Sequence, residues 1–364
     1  MTEGAAERQP TVTGFAISCA IAALRKRDIA VRPLLRRAGL SEQNFDDPQA
    51  RVPASGQGDF LEYAAEAMHD TAFGLHLSEQ TDPRGAGLLF YAASAARNLG
   101  ETLGLFIRYA RLVNESLGLE LAPHPDGVAI EFDFVGVSRQ RVKQNTEFWI
   151  GTMIKAARQI TGRHTRPIRV ACPHVRSADL REFERVYGCP VEFGAGTGQL
   201  VFSAETLAVP LLTHDPRLLE TLRPFCDEAA RARNTEVGSL RAAVENEIQR
   251  LLPLGQVSAP TVAKALALSV RSLSRRLSEE GATFAEVVDQ MRHSLALQYL
   301  KEPGFTSAQI AWLLGYTGPT SFNHAFKRWT GRSPSAARSP RPVASAGRAG
   351  GEAPAKPTPR RQRR

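Results

Sequence analysis

The residues best suited to chemistry form two sets of basic and polar side chains in the C-terminal third of the chain. Each set lies on a segment whose apolar residues recur at helical spacing, so we expect the polar side chains to be exposed. Groups of this kind on one helix face are suited to ion pairing and hydrogen bonding with a polyanion. The first set comprises Arg271, Ser272, Ser274, Arg275 and Arg276, and the second comprises Thr320, Ser321, Asn323, His324, Lys327 and Arg328.

The distribution of charge agrees with this interpretation. The 364-residue chain has a net charge of +9. Residues 256–338 carry ten Lys or Arg and five Asp or Glu, and residues 339–364 carry seven basic residues and one acid. The first 255 residues therefore have a net charge of −2. A basic module attached to a nearly neutral one is typical of proteins that bind nucleic acid.

The first set belongs to a helix-turn-helix pattern at about 258–281. Ser258 is suited to cap a helix that Pro260 opens, and Ala263 is small enough for a close helix crossing. Leu273 and Leu277 are the predicted apolar anchors of the second helix. A small residue, a turn four residues later and an anchor ten residues later match the geometry of this motif.

A second unit at about 306–330 repeats the arrangement. Thr306 and Gln309 form a capping-box pair, Ala311 occupies the crossing, and Gly315 permits the positive φ that ends the first helix. Pro319 then opens the second helix. Three aromatic residues at helical spacing are predicted to form its buried stripe rather than a base-stacking surface: Phe322, Phe326 and Trp329.

With both units in place, the sequence resembles the C-terminal signature of the AraC family of transcriptional regulators. In the second unit the resemblance is carried by IAWLLGY and SFNHAFKRWTGRSPSAAR. In the first unit and the helix after it, the resemblance is carried by LSVRSLSRRLSEEGATF and MRHSLALQYL. The N-terminal part resembles the effector domain of the subgroup that includes ornithine-utilisation regulators, over GLLFYAASAARNLGETLGLFIRYARLVNESLGLEL and CPVEFGAGTGQLVFSAETLAVPLLTHDP.

The resemblance implies that two recognition helices enter successive major grooves of double-stranded DNA. It assigns base-facing positions to Arg271, Ser272, Arg275, Thr320, Asn323 and His324, and phosphate positions to Arg276, Lys327 and Arg328. His324 stands where the family commonly has Arg, so no guanine-binding arginine is carried over to the second helix. The positions assigned to the helix-turn-helix framework are Ala263, Leu273, Leu277, Ala311, Gly315, Phe322, Phe326, Trp329 and Pro334.

Residues 1–230 mix helical and strand-like patterns, which indicates an α+β domain. Helices are predicted at 60–68, 99–117 and 178–187, and strands at 128–134, 168–171 and 199–202. The EFGAGTG segment lacks the Lys and Ser or Thr of a phosphate-binding loop, so we interpret it as a tight turn.

The predicted fold is thus an α+β N-terminal effector-binding domain at 1–230, followed by an all-α DNA-binding domain at 231–338. We place the boundary near 231–236, just before a helix predicted at 237–252. The tail at 339–364 consists largely of Pro, Ala, Gly and Arg with almost no large apolar residue. Because such a segment cannot bury a core, it is predicted to be a disordered basic tail.

The sequence predicts no catalytic residues, no cofactor and no metal. No GxSxG or comparable nucleophile motif is present, and none of the eight histidines stands at zinc spacing to a cysteine. The cysteines are far apart and predicted to be free thiols: Cys19, Cys172, Cys189 and Cys226. The apolar run at 14–24 is too short to span a bilayer. We therefore expect a cytoplasmic, nucleoid-associated protein with no membrane contact.

The predicted function is a sequence-specific DNA-binding transcriptional regulator, and an activator controlled by a small-molecule effector. RNA polymerase is the expected partner of an activator. The sequence leaves open whether the protein forms a homodimer. In one alternative, the N-terminal domain only oligomerises or binds a protein partner. In another, the protein is a DNA-targeted enzyme. Arg139, Arg141 and Lys143 are candidates for meeting an anionic effector, although a solvated loop is the preferred interpretation.

Overall fold

The computed structural model describes residues 9–41, 50–233, 240–302 and 304–338. The N-terminal strands are β1 (Thr11–Thr13), β2 (Arg51–Pro53), β3 (Leu117–His124), β4 (Gly127–Phe134), β5 (Arg169–Cys172), β6 (Val191–Phe193) and β7 (Gly198–Phe202). The N-terminal helices are α1 (Phe15–Arg25), α2 (Val31–Arg37), α3 (Ala54–Met68), α4 (Phe73–Gln80), α5 (Leu88–Ser94), α6 (Leu99–Tyr109), α7 (Lys143–Thr161), α8 (Leu180–Tyr187), α9 (Ala204–Leu207) and α10 (Pro216–Arg231). The C-terminal helices are α11 (Leu240–Leu251), α12 (Ala259–Ala265), α13 (Val270–Glu279), α14 (Phe284–Lys301), α15 (Ser307–Leu313), α16 (Pro319–Thr330) and α17 (Pro334–Arg338).

The predicted division into an α+β part and an all-helical part is confirmed. A mixed five-stranded sheet has the order β3-β4-β7-β5-β6, in which β5 and β6 are parallel and the other neighbours antiparallel. In β4, Ile130 lies opposite Leu121 of β3 and Leu200 of β7. The alternating apolar residues of β4 give the sheet one buried face.

Helix α7 is the central element of the N-terminal domain, where it packs against α3 and α4. Its Phe148 is fully buried and contacts Phe15 of α1, with ring centroids 5.9 Å apart. The helix ends at Gly162, whose φ is +60°. The same core includes buried residues of β4 and β7, so α7 connects the helices to the sheet.

The predicted helix at 99–117 is shorter in the structure. Helix α6 ends at Tyr109 and a single 3₁₀ turn follows at Ala110–Leu112. The chain then turns because the buried Asn114 side chain accepts hydrogen bonds from the amide and hydroxyl of Ser116. Glu115, also buried, accepts a hydrogen bond from the Thr11 amide at 2.9 Å. These local bonds replace further helical turns and lead directly into β3.

The C-terminal helices share a separate apolar core, which includes Val244 of α11 and Leu252 directly after that helix. The proposed boundary at 231–236 falls partly outside the described residues, and the predicted disordered tail at 339–364 lies entirely outside them. Among the described residues, no helix combines the length and hydropathy that crossing a bilayer requires.

Candidate nucleic-acid interface

The first helix pair consists of α12 and α13. The Ser258 hydroxyl caps α12 by accepting a hydrogen bond from the Thr261 amide at 3.2 Å. The Ser269 hydroxyl caps α13 by accepting a hydrogen bond from the Ser272 amide at 3.0 Å. Val262 and Ala263 of α12 are buried, and so are two anchors on α13: Leu273 and Leu277. The caps fix where each helix begins, and the anchors hold the outer face of α13 toward solvent.

Arg271 and Arg275 lie on that exposed face of α13. Arg275 donates to the carboxylate of Glu279 at 2.8 Å, one helical turn away. Ser272 and Arg276 are only partly exposed, and the Ser272 hydroxyl lies 2.8 Å from that of Ser269. The two exposed arginines are therefore presented to solvent, whereas Ser272 participates in the cap.

The second helix pair, α15 and α16, is fixed by a complete capping box between Thr306 and Gln309. Ile310 and Ala311 are fully buried. Gly315 has a φ of +72°, and a Cβ there would lie 2.6 Å from the carbonyl oxygen of Leu252. Only glycine meets both conditions. Any other residue would have a strained backbone at this positive φ, and its Cβ would clash with the Leu252 carbonyl.

The outer face of α16 presents six polar residues that are exposed: Thr320, Ser321, Asn323, His324, Lys327 and Arg328. Its inner face buries Phe322 and Phe326 completely. Trp329 differs from the prediction because it is only half-buried. Its indole Nε1 donates to Asp289 at 2.9 Å, which requires the polar edge to face outward. Ala325 is buried in the stripe instead, a position that the aromatic spacing alone did not indicate.

Helix α14 connects the two helix pairs. It begins with a capping box between Thr283 and Glu286 and contains 18 residues, about 27 Å of helix. Arg292 on α14 donates to the Leu314 carbonyl at 3.1 Å and lies over the Tyr316 ring. Asp289 pairs with Arg328 of α16 at 2.9 Å. These contacts set the position of α16 relative to α14.

The end of the C-terminal domain packs back on α14. Helix α17 contacts α14, and Pro334 at its start is buried. Arg338 donates to the Phe305 carbonyl at 2.6 Å, just before α15. Both helix pairs therefore belong to one packed unit, with α13 and α16 each exposing a polar face.

The C-terminal helical domain is joined to the N-terminal domain by hydrogen bonds around Asn246 of α11. The buried Asn246 side chain donates to the carbonyl oxygens of Phe134 at 2.8 Å and Val137 at 3.3 Å. It accepts a hydrogen bond from the Arg139 amide at 2.9 Å. One side chain thus satisfies three backbone groups at the end of β4 and in the segment that leads to α7.

A second contact centres on Glu302, immediately after α14. Its carboxylate pairs with Lys143, the first residue of α7, at 2.9 Å. It also accepts from the Ser177 amide and hydroxyl, both at 3.3 Å. The Glu302 side chain is only 10% exposed. We call the Asn246 and Glu302 hydrogen bonds together the interdomain contact.

Of the three cations between β4 and α7, Arg141 is exposed, as a solvated loop predicts, whereas Arg139 and Lys143 differ from that prediction. Arg139 is buried and pairs with Asp133. Arg141 pairs with Asp59, and Lys143 pairs with Glu302. Carboxylates of the protein already pair with all three cations. These cations therefore do not form a preformed site for an anionic effector.

A buried charged cluster beneath the interdomain contact was not predicted from the sequence. Arg176 donates to Glu147 at 2.7 Å, and neither side chain has any exposed surface. Burial raises the pKa of Glu147, but the charge of Arg176 and a hydrogen bond from His174 more than offset it, so the net pKa is lowered. Burial lowers the pKa of His174, whose neutral imidazole lies 2.8 Å from the same carboxylate.

An all-helical domain with two capped helix pairs and exposed polar recognition faces defines a helix-turn-helix DNA-binding protein. A family model for the arabinose-binding domain of AraC transcription regulators matches residues 29–211, and a helix-turn-helix domain model matches residues 262–339. The protein belongs to the AraC family of transcriptional regulators.

Its relatives include the ornithine utilization regulator of Pseudomonas aeruginosa, which is 28% identical over 84% of this chain and 93% of its own length. The HTH-type transcriptional regulator VirS of Mycobacterium tuberculosis is 26% identical over 83% of this chain and 88% of its own. The crystal structure of the transcriptional regulator CdpR from Pseudomonas aeruginosa matches 89% of this chain and 98% of its own, with a TM-score of 0.45 and 22% identity. The matched families and relatives are transcriptional regulators and not enzymes.

Proposed function

We propose that the protein is a transcriptional activator controlled by a small molecule that binds its N-terminal domain, residues 1–230. Binding changes how the DNA-binding domain, residues 231–338, presents α13 and α16 to DNA. The observation that carries this proposal is the interdomain contact, which joins α11 and the end of α14 to the segment leading into α7. Control by a ligand requires two states that differ in ligand affinity.

The interdomain contact is suited to distinguish two states because its polar groups are buried. Asn246 is 6% exposed and Glu302 is 8% exposed. If the domains shift, these groups must exchange protein partners for water, and each buried group left unpaired costs about 1–3 kcal/mol. A small displacement of α7 or of the preceding segment would therefore be transmitted to the DNA-binding domain.

The DNA contacts belong to the same proposal. Base-facing roles are proposed for Arg271, Ser272, Arg275, Thr320, Asn323 and His324, and phosphate roles for Arg276, Lys327 and Arg328. The exposed positions of Arg271, Arg275 and all five assigned residues of α16 support this assignment. An activator would also contact RNA polymerase, which an in vitro transcription assay with and without the protein tests.

The test of ligand control uses Asn246→Ala. Operator affinity is measured by fluorescence anisotropy, with DNA selected from a random pool and with or without a metabolite extract. For the wild-type protein we expect the extract to change operator affinity. In Asn246→Ala, the ratio of the two affinities should approach one, because the route between domains is broken.

The matched control is Glu247→Ala on the same helix, since Glu247 pairs with Arg250 of α11 itself. This variant should retain the extract-dependent ratio. A full ratio in Asn246→Ala would contradict coupling through the interdomain contact. If no metabolite fraction altered operator binding or transcription by the wild-type protein, ligand control itself would be rejected.

A specific observation also favours self-association through α10. Leu218 and Phe225 lie two turns apart on the same face of this helix and are 39% and 56% exposed. Tyr91 on α5, which packs against α10, is 48% exposed. Light scattering tests a homodimer through this face: Phe225→Ser should lower the molar mass from dimer to monomer. An unchanged molar mass would exclude this face as the interface.

A further inference from the structure

The N-terminal domain contains an apolar cavity between α5, α6 and α7. We infer that this cavity binds an uncharged, mainly apolar small molecule that carries one hydrogen-bond acceptor. The regulatory role of that molecule rests on the function proposed above, whereas its binding does not. The cavity has a volume of about 70 Å³ and is partly open to solvent. This volume is several times the roughly 10–15 Å³ that one water molecule needs.

Large apolar side chains form most of the cavity wall, and small ones keep it open. The large residues include Leu89, Phe90, Leu103, Phe106, Trp149 and Met153. The small lining residues include Ala93 of α5 and Ala156 of α7. Burying apolar ligand surface against such a wall contributes roughly 25 cal/mol per Å².

Two polar groups at the wall have no partner among the described residues. The indole Nε1 of Trp149 and the hydroxyl of Thr152 are buried without a hydrogen bond. Thr152 is 3% exposed. Leaving a buried donor unpaired costs free energy, and a ligand carbonyl or ether oxygen would recover it. By contrast, the hydroxyl of Ser94, a third polar lining group, already donates to the Tyr91 carbonyl at 3.1 Å.

The ligand is expected to be uncharged because the cavity wall has no charged side chain. None of the residues that line the cavity is Asp, Glu, Lys, Arg or His. A carboxylate or ammonium group would be buried there without a counter-ion, which is unfavourable. A charged amino acid such as ornithine is therefore not the expected ligand of this cavity.

A second apolar cavity lies on the other side of Trp149 and Met153, between α7 and the sheet. Its volume is about 30 Å³, and its wall includes Leu119, Phe132 and Phe134. Met153 separates the two cavities, and a methionine side chain adopts alternative conformations easily. An elongated ligand can therefore extend from the first cavity into the second.

Helix α7 links the first cavity to the interdomain contact, and Phe134 links the second. Helix α7 supplies Trp149 and Thr152 to the first cavity and begins at Lys143, which pairs with Glu302. From Lys143 to Trp149 the helix rises only about 9 Å. Phe134 lines the second cavity, and its carbonyl accepts the hydrogen bond from Asn246. A ligand that moves α7 or Phe134 would act directly on these contacts.

The test uses the full chain and the uncharged fluorophore N-phenyl-1-naphthylamine, whose emission rises in apolar sites. The competitors are 2-octanone, 1-octene, octanoate and octylamine. We expect 2-octanone to displace the fluorophore at concentrations at least tenfold lower than either charged compound. Equal displacement by octanoate or octylamine would overturn the assignment of an uncharged ligand.

Two variants locate the site. Ala156→Leu fills the cavity and should weaken binding of the fluorophore at least tenfold, whereas Gln159→Leu adds the same side chain to an exposed position of α7 and should not. Thr152→Val removes the unpaired hydroxyl with little change in volume. It should weaken 2-octanone about fivefold, the value of one neutral hydrogen bond, and leave 1-octene unchanged.

Wild-type affinity in Ala156→Leu would overturn the site, and equal losses for 2-octanone and 1-octene in Thr152→Val would overturn the role of the hydroxyl. Thermal melting checks that each variant is folded.

Operator affinity measured in parallel separates this inference from ligand control. If 2-octanone binds but no ligand changes operator affinity, the site stands and the proposed control fails. If an extract changes operator affinity but the fluorophore does not bind, the control stands and the site fails.

Discussion

Replacing Arg275 by Ala should weaken operator binding and relax the preference at one base pair. A bidentate contact between arginine and guanine contributes about 1–3 kcal/mol of base discrimination. In the free protein, Arg275 pairs with Glu279 at 2.8 Å, and both side chains are more than half exposed. An exposed pair of this kind is worth about 0.3–0.5 kcal/mol and must break before Arg275 reaches a base.

The expected net loss is therefore about 0.5–2.5 kcal/mol, or roughly 2- to 70-fold in Kd. The same reasoning predicts that Glu279→Gln, which frees Arg275, tightens operator binding about twofold. The assay is fluorescence anisotropy on the selected operator and on a panel of its single-base-pair variants. Arg181→Ala, which removes an exposed arginine of α8, is the matched control and should have no effect.

Two results would contradict the proposed base contact of Arg275. If Arg275→Ala weakened binding to every DNA in the panel by the same factor, Arg275 would contact phosphate and not a base. If Glu279→Gln weakened binding, the pair would help to position Arg275 and would not compete with DNA.

Three further predictions concern charge. Lys327→Ala should weaken binding to all DNA sequences and lower the salt slope of log K by about one; a loss confined to one sequence would refute a phosphate contact. Glu147→Gln should lower the free energy of unfolding by about 3–5 kcal/mol in urea titrations, because buried Arg176 loses its closest counter-charge and keeps only the longer pair with Asp179 at 4.0 Å; a loss below about 1 kcal/mol would contradict this. Burial raises the pKa of Glu62 to about 7, so Glu62→Gln should gain stability relative to wild type as the pH rises from 5 to 8.

The sign for Glu62 follows from proton linkage. The folded protein holds a proton on Glu62 at pH values where the unfolded chain, with its ordinary pKa, has lost it. The free energy of unfolding of the wild type therefore falls as the pH rises between about 4.5 and 7, by up to about 3 kcal/mol. Glutamine does not titrate, so a stability difference independent of pH would show that Glu62 has an ordinary pKa.

The C-terminal domain could be predicted closely because its determinants are local. Ser258, Thr306 and Pro319 fix helix starts within a few residues of themselves, and Gly315 ends α15 through its own φ. Trp329 was the exception. Its position depends on a hydrogen bond to Asp289, which lies 40 residues earlier in the chain.

The N-terminal domain was less predictable because long-range contacts decide its structure. Helix α7 buries polar residues such as Gln144, Asn145 and Glu147, so its hydrophobic periodicity is weak. Strand β3 has no fully buried position and is defined by pairing with β4. The apolar cavity could not be anticipated, since its wall comes from the chain around Pro83 and from α5, α6 and α7.

The central claim is that both recognition helices contact DNA in successive major grooves. Methylation interference on the selected operator tests it most directly. We expect two groups of interfering bases on one face of the duplex, about one helical turn apart. Replacing Arg271 and Arg275 together by Ala should abolish only one group, and replacing Asn323 and His324 by Ala only the other. A single group of interfering bases, or loss of both groups in either double variant, would contradict this claim.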